Sequence, residues 1–493
     1  MKEWTIQLIR WMRKYYFHLG VGALIAIRCF HLGSEIDSPH DWRQCDTAHY
    51  IRDFYRNGID LFHPAVCWMG SSDTVALEFP LPEAIVALSY CITGESIPAA
   101  RLIFMCFFIG AVIYFHKIVR LVFGHLLANL STLVYLVLPL SIYYSRAIHI
   151  DFFVIFLTHV IAYYYLKGID ERRWVYILVS SVVMGLACMV KIPYVFIWIL
   201  PLGYFTIRQK AIPWILKWSI FYIIPLIAFV LWQKHAFLIN NSSPDLSYIL
   251  GYHKMLPSPG WYFGTLAQRL ALYSWWILLN RGIFEIVGAG GLIYFMISVL
   301  RCKATRAFIF LIYWFLGLIL YVMIFFNLNL VHNYYQIPFL APIAVFLAFG
   351  IKQVQTFNVK LNLLILAIMI IVNVGYAEKN YFKTTEDEIE IAALIQQHTP
   401  GHALVAVTYN KMDCRNPKIL YRADRRGWSI QELALKASVI KKLQQEQGAQ
   451  FWAYVGQQPG SEMSDYLFSL AKPQIFPLKH TGASLFLFNL EEH

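Results

Sequence analysis

Charged residues are scarce in this chain. Asp, Glu, Lys and Arg make up 14% of its 493 residues, against about a quarter in an ordinary soluble domain. That excludes a conventional soluble enzyme, and it excludes a disordered chain more firmly. Cysteine is present eight times but never as Cys-x-x-Cys, so paired-thiolate zinc and dithiol motifs are absent. Cys29, Cys106 and Cys188 lie in apolar stretches and read as packing residues; Cys45 and Cys67 share one loop, where a disulfide is open to them. There is no His-Glu-x-x-His, no internal repeat and no low-complexity tract. No small-residue cleavage site follows the first apolar run, so the basic, amphipathic start reads as an uncleaved first helix.

What the chain has in plenty is apolar surface. The hydrophobic fraction is 58% and the mean hydropathy +0.53. Stretches such as 130–144, 215–232, 308–326 and 361–375 approach the ~20 apolar residues that cross a bilayer. The formal net charge of +12 would suggest nucleic acid in a soluble protein. Here the cations sit in short loops between apolar runs and orient helices instead, so nucleic acid is not read as a partner.

The positive-inside rule orders the spans. Lys2, Arg10, Arg13 and Lys14 precede span one (16–33) and hold the N-terminus inside. Segment 34–97 is too polar to cross; its apolar piece 79–93 suits an interfacial helix. Spans follow at 98–122, 126–144 and 152–166, then a hairpin about Lys191 and Pro193, then 214–232. An outer loop from 235 to about 281 carries a second interfacial stretch, 260–279, before spans at 283–300, 308–326, 334–350 and 361–376. The fold class is therefore an all-α polytopic membrane protein of about eleven spans, with interfacial helices in the first outer loop. Domain 1–376 is the membrane part, and 377–493 is a small α/β domain outside. In that tail, helices are predicted at 385–398 and 430–447, and strands at 403–408, 451–455 and 484–489.

On this topology, polar residues from four loops collect on the outer face: Asp41, Arg43, Asp46, Tyr50 and Glu78 in the first loop, Arg146 and Asp151 in the second, Lys191 in the third, and His332, Tyr334 and Tyr335 in the fifth. Each has a plain alternative. Asp46–Tyr50 suits a solvated interfacial helix, and Glu78 a first-turn charge. Arg146 and Asp151 suit an interfacial ion pair, Lys191 a snorkelling cation, and His332–Tyr335 an aromatic belt.

The order and spacing of these groups resemble the glycosyltransferase C superfamily, and within it the bacterial relatives of the aminoarabinose transferase and the protein O-mannosyltransferases. Asp41-Trp-Arg-Gln-Cys-Asp-Thr-Ala48 resembles the Trp-Arg-Gln-x-Asp-Thr-Ala signature of one branch. Asp46 with Tyr50 matches the broader Asp-Glu-x-x-Tyr pattern, with Thr47 replacing Glu. Glu78-Phe-Pro80 is similar to a Glu-Lys-Pro-Pro element, but Phe79 cannot make the phosphate contact of a lysine. Ser145-Arg-Ala-x-x-x-Asp151, Gly185-Leu-Ala-x-x-x-Lys-x-Pro193 and His332-Asn-Tyr-Tyr-x-x-Pro338 are similar to further elements in the same order. Tyr421–Trp428 resembles a tail segment of this branch, with no mechanism attached.

The resemblance implies a polyprenyl-phosphate sugar donor and an inverting displacement. The acceptor would be lipid A, another envelope glycan, a teichoic-type polymer or a protein, at the periplasmic face of a bacterial inner membrane. Lys191, Arg146 and Arg43 are the expected phosphate cations. Asp46 is the expected general base, with Asp151, Glu78 and Asp41 as further carboxylates. Tyr50, His332, Tyr334 and Tyr335 are expected to bind substrate. Asp46, Glu78, Asp151 and His332 could ligate a divalent cation; with no ligand-spacing signature the reading carries no metal. The rival readings are a secondary transporter, which Arg28 within span one would suit, an O-antigen ligase or polymerase, and a receptor.

Overall fold

The computed structural model describes residues 3–71, 74–301, 303–410, 412–432, 436–457 and 462–491. Lys2 lies outside them, and the side chains of Arg10, Arg13 and Lys14 are likewise not described. The chain forms two compact units. One comprises Met1–Ser34, Ile97–Trp232 and Pro257–Phe382; the other comprises Glu35–Ser96, Gln233–Leu256 and Lys383–His493. The sequence reading set one boundary after residue 376 and kept 34–97 with the membrane part, whereas the second unit gathers three separate stretches of chain.

The first unit is helical and makes this a multi-pass membrane protein. Among the described residues, seven helical stretches are long and apolar enough to cross a bilayer. An eighth is added if Pro259–Leu270 and Leu272–Val287, bent by 111°, are one broken span. The expectation was eleven. Three predicted spans correspond to shorter helices, Tyr15–Cys29, His125–Val137 and Ala289–Arg301. Two more share the 35-residue run Trp174–Arg208, which as one straight helix would be about 52 Å long, far beyond the ~30 Å apolar core of a bilayer. It folds back instead. At one end Lys191 Nζ meets Asp151 at 2.8 Å; at the other Arg172 donates to the Gln209 carbonyl at 2.8 Å, and Tyr165 bonds Thr206 at 2.8 Å. The turn sits at Lys191, whose φ of −159° and ψ of 78° leave the helix just before Pro193.

Broken helices need partners for the carbonyls they free. Pro139 interrupts the third predicted span at Leu138, splitting it into His125–Val137 and Pro139–Tyr144. The Leu136 carbonyl then accepts from Arg28 Nη2 at 2.5 Å, and the Val137 carbonyl from Asn373 at 3.1 Å. Gly288, at φ +73°, lies against Asn373 so closely that a Cβ there would sit 2.0 Å from its Oδ1.

The second unit is α/β. Its sheet runs β2-β1-β3-β5-β4, where β1 is Leu404–Tyr409, β2 Arg426–Ile430, β3 Phe451–Gly456, β4 Gln474–Pro477 and β5 Ser484–Asn489. β2, β1 and β3 are parallel; β5 and β4 are antiparallel. The central strands are nearly continuous apolar runs, as strands buried on both faces must be. Four predicted elements match: Glu386–His398 is helical, and β1, β3 and β5 fall where expected. The predicted helix 430–447 is instead Ala437–Gln445, its first residue belonging to β2. β2 had no apolar alternation to announce it; it needs Gly427, where any Cβ would sit 1.9 Å from the Val405 carbonyl. β4 is an exposed edge strand ending in Pro477, the place where proline is tolerated.

Residues 421–428 tie the first loop into this unit. The Gly427 amide bonds the Cys67 carbonyl and the Gly427 carbonyl accepts from Gly70, both at 2.9 Å. Asp424 accepts from Arg52 and Arg56, Arg52 lies over the Tyr421 ring at 4.1 Å, and Arg422 donates to Glu388 and to the Ile36 carbonyl, each at 3.1 Å. Cys45 and Cys67 are buried here as free thiols.

Candidate active site

In the second unit, the helix Asp41–Asn57 carries Arg43, Asp46 and Tyr50 three and four residues apart, on one stripe. Asp46 is 4% exposed. Its Oδ1 accepts from Trp68 Nε1 at 2.9 Å, and its Oδ2 lies 3.8 Å from Arg43. Arg43 donates its other nitrogen to Glu78. Tyr50 donates to the Val75 carbonyl at 2.5 Å and accepts from the Leu77 amide, so it pins the strand-like stretch that delivers Glu78. Burial pushes the Asp46 pKa up to about 7, against the pull of Arg43 and the Trp68 hydrogen bond. A buried carboxylate poised near neutrality is what a general base requires. Glu83, 3% exposed on the helix Leu81–Thr93, is likewise pushed up to about 8 by burial.

Asp41 is differently placed. Five residues before Asp46, its Oδ2 lies 3.5 Å from Lys418 and 3.7 Å from Arg422, and Glu388 completes that cluster at 2.5 and 3.1 Å. The arrangement joins the helix to the tail.

A second cluster lies in the helical unit. Asp151 opens the helix Asp151–Glu171, and Lys191 closes the antiparallel helix Trp174–Lys191, each at the end whose dipole favours its charge. Asp151 accepts from Lys191 and from the Tyr194 hydroxyl on one oxygen, and His149 Nδ1 stands 2.5 Å from the other. Tyr194 reaches on to the Tyr334 carbonyl at 3.0 Å. The Lys191 ammonium lies 4.1, 4.7 and 5.1 Å from the ring centres of Tyr335, Tyr334 and Tyr194. His332 stacks on Tyr334 at 5.0 Å, and His149 packs on the same ring at 4.5 Å. Arg146, 1% exposed, lies over Phe382 at 4.4 Å.

The predicted residues thus fall into two sets, Arg43, Asp46, Tyr50 and Glu78 in one unit and Arg146, Asp151, Lys191, His332, Tyr334 and Tyr335 in the other. Among the described residues, no three His, Cys, Asp or Glu side chains gather as a metal-ligand group.

Residues 78–237 match the family model for dolichyl-phosphate-mannose-protein mannosyltransferase. The structure aligns with ArnT from Cupriavidus metallidurans in the apo state over 97% of this chain and 99% of that one, at 12% identity and a TM-score of 0.64. The same protein bound to undecaprenyl phosphate aligns over 96% and 98% at the same score and identity. An Archaeoglobus fulgidus oligosaccharyltransferase in complex with Zn and sulfate aligns over 95% of this chain and 72% of that one, at 11% identity and a TM-score of 0.56. A sequence comparison with curated proteins finds no match. This is a glycosyltransferase C fold of the ArnT and mannosyltransferase type. Its neighbours in family and fold are glycosyl and oligosaccharyl transferases.

Within this C-type fold, three side chains in contact with the candidate carboxylates went unread in the sequence. Trp68 and Tyr194 sit in apolar stretches where an aromatic is most often core. His149 lies two residues before Asp151 and inside the Arg-to-Asp motif, so the motif itself was the signal for it.

Proposed function

We propose that this chain is an inverting glycosyltransferase that moves a sugar from a polyprenyl-phosphate donor to an acceptor hydroxyl, at the periplasmic face of a bacterial inner membrane. The acceptor class is a lipid, an envelope glycan or a protein. The observation that carries the reading is Asp46: a buried carboxylate, hydrogen-bonded to Trp68 and titrating near neutrality, within a chain that shares the ArnT fold end to end.

The chemistry divides by residue. Asp46 takes the proton of the acceptor hydroxyl as its oxygen attacks the anomeric carbon; the bond to the phosphate oxygen breaks, and the donor leaves as polyprenyl phosphate. Glu78 holds Arg43 beside Asp46, and Tyr50 fixes the segment that brings Glu78 there. Arg43, beside Asp46, supplies positive charge for the departing phosphate, where preorganised cations act most strongly; in the helical unit, Lys191 and Arg146 are cations suited to holding a polyprenyl phosphate. Asp151 and Tyr194 orient Lys191. Tyr334, Tyr335 and His332 form the aromatic wall against which the ammonium rests. Asp41 is assigned a structural role in its ion-pair cluster.

The test is sugar release from a synthetic polyprenyl-phosphate donor by the purified protein in detergent, with and without Asp46→Asn. Transfer lost in a variant that stays folded and membrane-bound supports the reading; turnover near that of the native protein removes Asp46 as base. Mass spectrometry of lipids and glycans from a strain lacking the protein identifies the acceptor.

A further inference from the structure

The second unit contains a cavity of about 550 Å3 that no step above uses. Cavities for apolar ligands are lined mostly by hydrophobic and aromatic side chains. Among the described residues lining this one, Leu404 alone is aliphatic. Arg52, Arg56, Arg425 and Arg426 stand against Asp53 and Asp424 in the lining, and Glu95 beside it accepts from Arg52 and, at 2.8 Å, from Arg56.

The helix Asp41–Asn57 supplies His49, Arg52, Asp53 and Arg56 at i, i+3, i+4 and i+7, a single stripe. Asp424 fixes two of the guanidiniums: Arg56 donates to both of its oxygens at 2.9 Å, and Arg52 to one at 3.2 Å. Arg425 is held by neutral oxygens, Thr399 Oγ1 at 2.8 Å and the carbonyls of Thr399 and Gln396 at 2.6 and 2.9 Å. Among the described residues no carboxylate is salt-bridged to it, and Asp424 is the neighbouring carboxylate that favours its charge. The resulting field registers on His49, whose pKa is pushed down to about 3, first by burial and then by Arg52 and Arg426.

We propose that this cavity binds a phosphate monoester of a polar alcohol, with the size and polarity of a sugar phosphate. Guanidiniums held in fixed orientation match phosphate oxygens in paired, charge-assisted hydrogen bonds. Asn57, Ser71 and Asp53 supply donors and acceptors for hydroxyl groups. The volume exceeds what an unsubstituted phosphate fills. The same chemistry reaches the site from two sources, a soluble sugar phosphate or the headgroup of a phosphate-monoester lipid.

The test is titration calorimetry on the purified full-length protein in detergent. The probes are glucose 1-phosphate, glucose, short-chain phosphatidic acid and short-chain phosphatidylcholine. Glucose 1-phosphate is expected to bind, with glucose and phosphatidylcholine silent. Arg56→Gln, at the cavity rim, weakens binding about tenfold, the worth of one charge-assisted hydrogen bond. His402→Glu, an exposed position lining the cavity, adds a negative charge without disturbing the buried network and weakens binding at least as much. Asp46→Asn binds as the native protein does, which separates this site from the transfer reaction. Binding of phosphatidic acid in preference to the sugar ester assigns the site to a headgroup and overturns the saccharide assignment. Silence from both esters, or binding unchanged in both cavity variants, overturns the site altogether.

Discussion

Replacing Asp46 with Asn should kill transfer and stabilise the fold at once, and the two effects should differ in their pH dependence. Burial lifts the Asp46 pKa from the ordinary 3.8 to about 7. The folded state therefore holds this proton more tightly than the unfolded chain does, the reverse of the usual salt-bridged aspartate. Below about pH 4 both states are protonated and burial costs nothing. As pH rises through the unfolded pKa, the unfolded chain gains by ionising and the folded state does not follow until about pH 7. Stability is lost over that window, and the loss is complete above it. One pKa unit is worth about 1.4 kcal/mol. The shift of about three units is then worth about 4 kcal/mol at pH 8 and about 2 kcal/mol at pH 5.

The attraction of Arg43 and the Trp68 hydrogen bond are already inside the net shift, since both act to lower it. Asn keeps an oxygen for Trp68 and removes the ionisation cost; Arg43 keeps Glu78 as its partner. The assay is unfolding of the purified protein in detergent, followed by tryptophan fluorescence from pH 4 to pH 8. It is read as unfolding rates at fixed temperature, because membrane proteins seldom unfold reversibly. The Asn variant should outlast the native protein at pH 8, by a margin that narrows toward pH 5 and closes near pH 4. Native turnover should rise with pH through about 7, while the variant stays inactive throughout. An Asn variant less stable at pH 8, or a margin independent of pH, would refute both the burial argument and the assignment of the base.

Trp68→Phe removes a hydrogen bond that favours the ionised carboxylate, so the rising limb of the turnover profile should move to higher pH by up to about one unit; a shift downward contradicts it. Asp151→Asn leaves the Lys191 ammonium buried without its counter-charge, at a cost of about 3–5 kcal/mol; adding Lys191→Met should restore thermal stability but not transfer. Tyr194→Phe deletes the hydroxyl that bridges Asp151 and the Tyr334 carbonyl, and should lower kcat about tenfold with little change in KM for the donor. Gly427→Ala puts a methyl group 1.9 Å from the Val405 carbonyl and should expose the 421–428 segment to limited proteolysis, while Ala at Gly401, with open space around it, leaves the digestion pattern unchanged.

Hydropathy located the membrane part and most of its helices because a crossing demands length, and length is visible in a window. It could not count crossings where helices break. Leu138–Pro139 and Gly288 divide apolar runs whose composition never changes, and the partners that make the first break tolerable, Arg28 and Asn373, lie more than a hundred residues away. The hairpin at Lys191 was legible because Pro193 follows a charge in an otherwise apolar run. The makeup of the second unit was not. Residues 35–96 join the tail through backbone pairs such as Cys67 with Gly427, and no local pattern records a partner 360 positions downstream. Asp41 and Asp46 show the same limit within one helix: both are acidic and adjacent to the same motif, yet five residues of helical rotation give one the cations of the tail and the other Trp68 and Arg43.

Charge inside an apolar bundle has two physical explanations, and the partners decide between them. Arg28 donates to Ser145 Oγ at 2.9 Å, to Ser141 Oγ at 3.3 Å and to the carbonyls of Leu24 and Leu136 at 2.5 Å. Arg101 likewise donates to the carbonyls of His31, Leu32 and Ser34. Arg28 satisfies backbone oxygens at a helix break and Arg101 those of the turn that follows the first helix, a requirement the bilayer imposes on any fold with interrupted helices. Arg28 was the residue that suited a transporter, and its donors are committed to the break at Pro139 and the turn after it. Lys191 is held otherwise, by the Asp151 carboxylate and three aromatic faces. An ammonium kept buried against a carboxylate is expensive to hold. That difference in partners, rather than the mere presence of charge, is why the reading of this fold as a transferase falls on Lys191 and Asp151 and not on Arg28.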